Sequence, residues 1–255
     1  MQMKKLTLSF ITLLILTACN SKTEEKSKQV IDPNNSISDT VKSKEETSTI
    51  EPRKNISDFV PKGYIIYKEE GIEEIKGDLN KDGLEDIVLI IKGTDKNSII
   101  QHEYLGKLDR NRRGIIVLFN KGKYYELATK NYDCFSSENE EGGVYYAPEL
   151  GVYVEKGNLC VHYAHGRYGY WKYTFRHQNG DFELIGYDAS SNRGPVPQYE
   201  TSINFLTKKK LTRDNLNKED DGENYVENFK DTWEQVKIKS LIRLSEIKDF
   251  DKLAF

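Results

Sequence analysis

Cysteine is scarce in this 255-residue chain, with only Cys19, Cys134 and Cys160. Three thiols cannot build a disulfide-dense scaffold or a four-cysteine zinc site. Histidine occurs four times. No aromatic residue lies between positions 19 and 58; Phe59 ends that gap. There is no Gly-x-Ser-x-Gly elbow, His-Glu-x-x-His pair, phosphate loop or dinucleotide fingerprint. Carboxylates are so numerous, 41 in all, that no pair stands out as an acid–base couple. A basic field is missing too. Without residues 1–18 the chain has 36 basic and 41 acidic residues, a net charge of −5. That balance argues against nucleic acid as a partner.

What is present begins at the N-terminus. Lys4 and Lys5 precede a mostly apolar run, Leu6 to Leu16, and small residues then lead to Cys19. This is the layout of a secretory signal over residues 1–18. The run is too short to cross a bilayer, which takes about 20 residues. The ending Leu16-Thr17-Ala18-Cys19 resembles the lipobox of bacterial lipoproteins. The resemblance implies cleavage before Cys19 and several acyl chains on that cysteine. Each buried methylene contributes about 0.8 kcal/mol, so several chains anchor stably where one holds marginally. The expected address is the cell envelope, on the outer membrane of a Gram-negative cell, with the leaflet left open. The expected first partner is the membrane, through the Cys19 lipid. The alternative is an ordinary signal peptide followed by a coincidental cysteine. Lys22-Thr23-Glu24-Glu25 resembles an export patch of some surface lipoproteins, and reads equally as linker.

Residues 19–56 are rich in Lys, Glu, Ser, Thr and Asn. Such a segment cannot bury enough apolar area to offset its ordering entropy, so a disordered tether is expected. All sixteen tyrosines lie between Tyr64 and Tyr225. Residues 57–255 are therefore the expected folded domain, long enough for one core.

Within it, short β-branched or alternating runs are separated by turn residues. Tyr64 to Tyr67 is one, and Asp86 to Ile91 is apolar enough to be central. Three hairpins follow: 114–119 with 124–128, 152–155 with 159–163, and 170–175 with 182–185. The third turns at Asn179-Gly180, the strongest short hairpin signal. Ile203 to Leu206 and Trp233 to Leu244 complete the set, and Thr232 to Glu246 reads alternatively as a short C-terminal helix. The fold class is all-β, an antiparallel meander or sandwich-like single domain.

The most informative stretch is Gly77-Asp78-Leu79-Asn80-Lys81-Asp82-Gly83-Leu84-Glu85-Asp86. Side-chain oxygens fall at positions one, three, five and nine from Asp78, with Gly83 at the sharp sixth position. This is the oxygen spacing that Ca²⁺ takes in a loop. Position twelve is Leu89 where an EF-hand has Glu, and a strand follows instead of a helix. The pattern resembles the calcium turns of FG-GAP and VCBS repeats. That resemblance implies Ca²⁺ held by the side chains of Asp78, Asn80, Asp82 and Asp86 and the carbonyl of Leu84. The alternative is an Asx-rich turn closed by side-chain to backbone hydrogen bonds. The motif occurs once, so a full propeller is not expected. Residues 215–222 echo it with the wrong spacing.

The order of motifs is also similar to a group of uncharacterised bacterial envelope proteins over about residues 60–190. It rests on the Asp-rich loop, the strand 113–118, Tyr125 to Ala128 with Asn131, Gly142-Gly143, and Tyr170-Trp171 with Tyr173 and Phe175. It implies fold and loop, and no reaction.

Three weaker features remain. In an oxidising compartment Cys134 and Cys160 could bridge, closing a loop worth about 3.5 kcal/mol; otherwise they are a loop thiol and a core thiol. His162 and His165 lie three apart, a poor metal pair on a strand. Alternation puts Trp171, Tyr173 and Phe175 in the core, while His165, Arg167, Tyr168 and Tyr170 could line an exposed ligand surface. Three functions follow. The first is a non-enzymatic, calcium-stabilised, membrane-tethered envelope lipoprotein with a binding or scaffold role. The second is a glycan- or peptide-binding module. The third is an unrecognised envelope hydrolase.

Overall fold

The computed structural model describes residues 55–68, 74–140, 147–219 and 225–255. The signal sequence, Cys19 and nearly all of the expected tether lie outside the described residues. So does Gly142-Gly143. Residues 50–255 form one compact unit.

The unit is all-β and antiparallel, as expected, with no closed barrel or propeller. A five-stranded sheet comprises β1 (Tyr64–Ile66), β2 (Ile75–Gly77), β3 (Asp86–Gly93), β6 (Arg113–Asn120) and β7 (Tyr125–Phe135). A small hairpin, β4 (Ile99–His102) with β5 (Gly106–Asp109), projects from the β3–β6 connection. The second sheet is a seven-stranded meander. It runs in chain order through β8 (Glu149–Glu155), β9 (Asn158–Ala164), β10 (Gly169–Gln178), β11 (Asp181–Arg193), β12 (Val196–Asn204), β13 (Lys209–Asn215) and β14 (Phe229–Gln235).

All three expected hairpins form, as β6–β7, β8–β9 and β10–β11. The Asn179-Gly180 turn takes positive φ at both residues, and so does Lys156-Gly157. The helix weighed for Thr232 to Glu246 does not form. Phe229–Gln235 is a strand, and only Leu244–Glu246 makes a single 3-10 turn. Pairing along β13, from Lys209 with Gln235 to Asn215 with Phe229, makes this stretch the last strand of the meander.

β3 and β6 are buried on both faces because the five-stranded sheet is covered twice. Val88, Ile115, Val117 and Phe119 face the meander and pack with Leu159, Val161, Tyr173, Phe175, Phe182 and Ile203. On the other side Ile87, Leu89, Ile91, Ile116 and Leu118 lie under Ile56, Phe59, Val60 and Tyr64. The chain therefore enters the domain across the outer face of the smaller sheet.

The C-terminal segment fills the main core with Leu244, Ile247 and Phe250. Phe250 stacks on Phe135 at 5.0 Å and meets Tyr173 edge-on at 5.0 Å. The Asn131 amide, on β7, donates to the carbonyls of Leu244 (2.8 Å) and Ile247 (2.6 Å), satisfying backbone that is not in a sheet. Asp181 of β11 accepts from Thr129 of β7 at 2.8 Å and also from Ser245. One buried carboxylate thus ties both sheets and the C-terminal segment.

Candidate functional site

The Asp-rich loop joins β2 to β3, so its two ends are held by paired strands. Asp78 Oδ1 accepts from the Asp82 N–H (3.1 Å) and Oδ2 from the Gly83 N–H (3.0 Å). Asn80 Oδ1 accepts from Asp82 N–H (2.9 Å), and Asp82 Oδ1 from Leu84 N–H (3.0 Å). Gly83 has φ +87°, the conformation for which the sixth position needs glycine. The loop rests on the β8–β9 hairpin. A Cβ on Gly77 would lie 2.6 Å from Val154 Cγ1, and one on Gly157 3.2 Å from the Asp78 carbonyl oxygen.

Asp78, Asn80 and Asp82 turn their oxygens into one small loop, with Leu84 adjacent and 40% exposed. Each accepting oxygen keeps a lone pair, so this set suits a hard cation. The Leu84 N–H, followed by Asn80 and Lys121, holds the Asp82 carboxyl below its usual range. Lys121 Nζ stands 3.9 Å from Asp82 Oδ2 and 3.7 Å from Glu126 Oε2.

Asp86 differs from the other three. It is fully buried, with Oδ2 accepting from Leu79 N–H (2.8 Å) and Oδ1 from Asn120 N–H (3.0 Å). Burial raises its pKa, against the pull of the N–H groups of Asn120, Leu79 and Asn80. Its oxygens therefore tie the loop to β6. Among the described residues no three His, Cys, Asp or Glu side chains converge as a metal cluster.

The other expected site residues fall into separate places. Cys134 and Cys160 are free, buried thiols, not a disulfide. Cys134 ends β7 in one sheet, with Sγ 3.8 Å from the Asn131 carbonyl, while Cys160 is central in β9 of the other. Burial pushes both thiols up, away from reactive thiolate.

His165, Arg167 and Tyr168 do come together in the β9–β10 connection. Tyr168 packs 5.2 Å from the His165 ring and under the Arg167 guanidinium at 5.7 Å. Tyr170 instead lies against His162 at 5.5 Å. Register places Tyr170, Lys172 and Thr174 on the outer face of the meander, beside Asp188 and Ser190 of β11. Trp171, Tyr173 and Phe175 point inward, and Tyr173 and Phe175 are fully buried. Tyr163 stacks on Trp171 at 5.4 Å, with its hydroxyl buried and unpartnered.

Sequence reasoning missed one residue of interest, Arg113. It begins β6, is 4% exposed, and sits 5.6 Å over the Tyr67 ring. The available signal was a cation opening an otherwise apolar run, Arg113-Gly114-Ile115-Ile116-Val117-Leu118. No protein-family model, no curated protein and no solved structure matches this chain.

Proposed function

We propose that this chain is a lipid-anchored protein of the bacterial cell envelope. It presents a β-domain for non-enzymatic binding or scaffolding, with Ca²⁺ acting on structure at the Asp78–Asp82 loop. The observation that carries the reading is the spacing between anchor and fold. The described fold starts at Asn55, well beyond Cys19. A flexible linker of about 35 residues reaches roughly 30–35 Å on average, enough to hold a domain clear of a membrane surface. The loop geometry supports a structural role for calcium, because the chain it would pin runs directly into the doubly buried strand β3.

The test is fractionation of the expressing cell. The native protein should sediment with membranes and enter the detergent phase, and Cys19→Ser should release it. Equal partitioning of the two would overturn the anchor.

A second reading is a glycan- or peptide-binding module. Its supporting observation is the exposed Tyr170, beside His162 and the Lys172–Asp188 pair at 3.6 Å. Aromatic faces next to polar groups suit sugars. Tyr170→Ala should then abolish binding to a glycan array with the melting temperature unchanged. Retained binding would remove this surface from consideration.

A further inference from the structure

A cavity of about 240 Å³ opens where the edge of the smaller sheet meets β8. Its origin is a gap in strand pairing. β1 covers Ile91 to Gly93 of β3, and β2 covers Asp86 to Val88. Between them, among the described residues, no strand pairs with Leu89 and Ile90 on that edge, and the Tyr67 N–H donates to the Ile90 carbonyl at 2.8 Å. The wall is therefore side chain rather than ladder. Ile66, Ile75, Leu89 and Ile90 line one side, Leu150 and Val152 the other.

One lining residue does not fit an apolar void. Arg113 is 96% buried, and its Nε donates to the Ser136 carbonyl at 2.9 Å. No described carboxylate lies within ion-pair distance of its guanidinium. Its cross-strand neighbour shows the contrast. Lys92, paired with Arg113 in the β3–β6 register, has Nζ on Asp109 at 2.9 Å and on Glu138. Of two adjacent buried cations, one is neutralised by two acids; the other stacks on Tyr67 and donates to a carbonyl, with no described acid beside it. A guanidinium cannot shed its proton, so burying it without an anion is costly. Among the described residues the mouth does not supply the anion: Glu74 is held by Lys76 at 2.5 Å, and Lys68 adds a further positive charge.

We propose that this cavity is a binding site for a short single-chain carboxylate. The alkyl part lies against Ile75, Leu89, Ile90, Leu150 and Val152. The carboxylate takes the two Nη groups of Arg113 in a forked pair, the geometry in which guanidinium and carboxylate match. An apolar cavity of about 150 Å³ accepts benzene, so this one accepts roughly eight to ten carbons. The site stands whether or not Cys19 is acylated.

Isothermal titration of the mature chain carrying Cys19→Ser tests it with three probes of one tail length: decanoate, 1-decanol and decyltrimethylammonium. Decanoate should bind with one-to-one stoichiometry, at least tenfold more tightly than decanol, and the cationic amphiphile should not bind. Leu150→Trp, which fills the void, should abolish decanoate binding. Arg113→Lys should weaken decanoate severalfold and leave decanol unchanged. Should the arginine variant fail to fold, the probe series on the unaltered side chains still decides. Equal affinity for decanoate and decanol, no binding of any probe, or undiminished decanoate binding by Leu150→Trp would overturn the proposal.

Discussion

Asp86 shows how one side chain can carry a role in the fold beside the one its spacing suggests. Its position nine from Asp78 made it a cation ligand by resemblance. In the fold it is a buried hub for backbone N–H groups from the loop and from β6. Nothing in the local sequence distinguishes these roles, because the deciding partner, Asn120, lies 34 residues away. Asp86→Ala should cost about 2–4 kcal/mol, since it strands several buried donors at about 1–3 kcal/mol each with partial relaxation. Chemical denaturation measures this, and a loss below about 1 kcal/mol would contradict the hub. Asp82→Ala, exposed and dispensable to the core, should cost far less without calcium.

His177 gives a pH prediction at the same scale. It packs edge-on to Phe119 at 4.8 Å, and burial lowers its pKa, with Lys121 adding to the effect against Asp181 and Asp86. A histidine lowered in the fold binds fewer protons there than when unfolded. Stability from this group is complete above its unfolded pKa, near 6.5, and falls as pH drops from there towards the folded value. The denaturation midpoint should therefore decline from pH 7.5 to 5.5, and His177→Gln should flatten part of that slope. A parallel slope in the variant would assign the dependence elsewhere, to His162 first, whose pKa burial and Lys172 also lower.

At the scale of elements, hairpins were legible and long-range partners were not. Asn179-Gly180 and Lys156-Gly157 announce their turns because few residue pairs accept two positive φ angles. The polar strands β12 and β13 were harder. Tyr199-Glu200-Thr201-Ser202 carries little apolar alternation, and its outward residues meet charges across the sheet, as Arg213 meets Glu200 at 2.7 Å and Asp231 at 3.3 Å. The C-terminal segment was read as a regular element because Val236, Ile238 and Leu241 suggest one. Instead Leu244, Ile247 and Phe250 insert through two short 3-10 turns, the carbonyls of Leu244 and Ile247 satisfied by the distant Asn131 and that of Phe250 by Tyr173. Phe250→Ala should cost about 3–5 kcal/mol, the range for removing a buried aromatic ring. Trp233→Ser, on the exposed face of β14, should shift stability by less than about 0.5 kcal/mol. Comparable losses in the two would mean that the C-terminal segment is not part of the core.

The Asp-rich loop is an element whose energetics reach the whole domain, because it leads directly into β3. At calcium a hundredfold above its dissociation constant, binding should add about 2.7 kcal/mol. For a chain of this size that is a rise of about 5–10 °C in melting temperature. The rise should vanish with EDTA and in Asp82→Ala. Lys121→Met, which removes the cation beside Asp82, should strengthen calcium binding. Melting temperatures independent of calcium in all three proteins would leave the loop a turn closed by its own N–H groups.

At the scale of the whole molecule, the β-fold stands on its packing and the envelope address on the N-terminal sequence. Strand content, the central position of β3 and the three hairpins followed from local pattern. The stacking of two sheets, the Arg113 cavity between their edges and the separation of Cys134 from Cys160 depend on contacts that no local pattern encodes. The address rests on the signal layout of residues 1–18 and the ending Leu16-Thr17-Ala18-Cys19, with the distance from Cys19 to the fold in support. Its most direct test is the mass of the N-terminal tryptic peptide from the protein purified from its own membranes. The account predicts a peptide of residues 19–22, beginning at Cys19 and heavier by a diacylglyceryl group and a further acyl chain. An unmodified Cys19, or a mature N-terminus at any other residue, would contradict it.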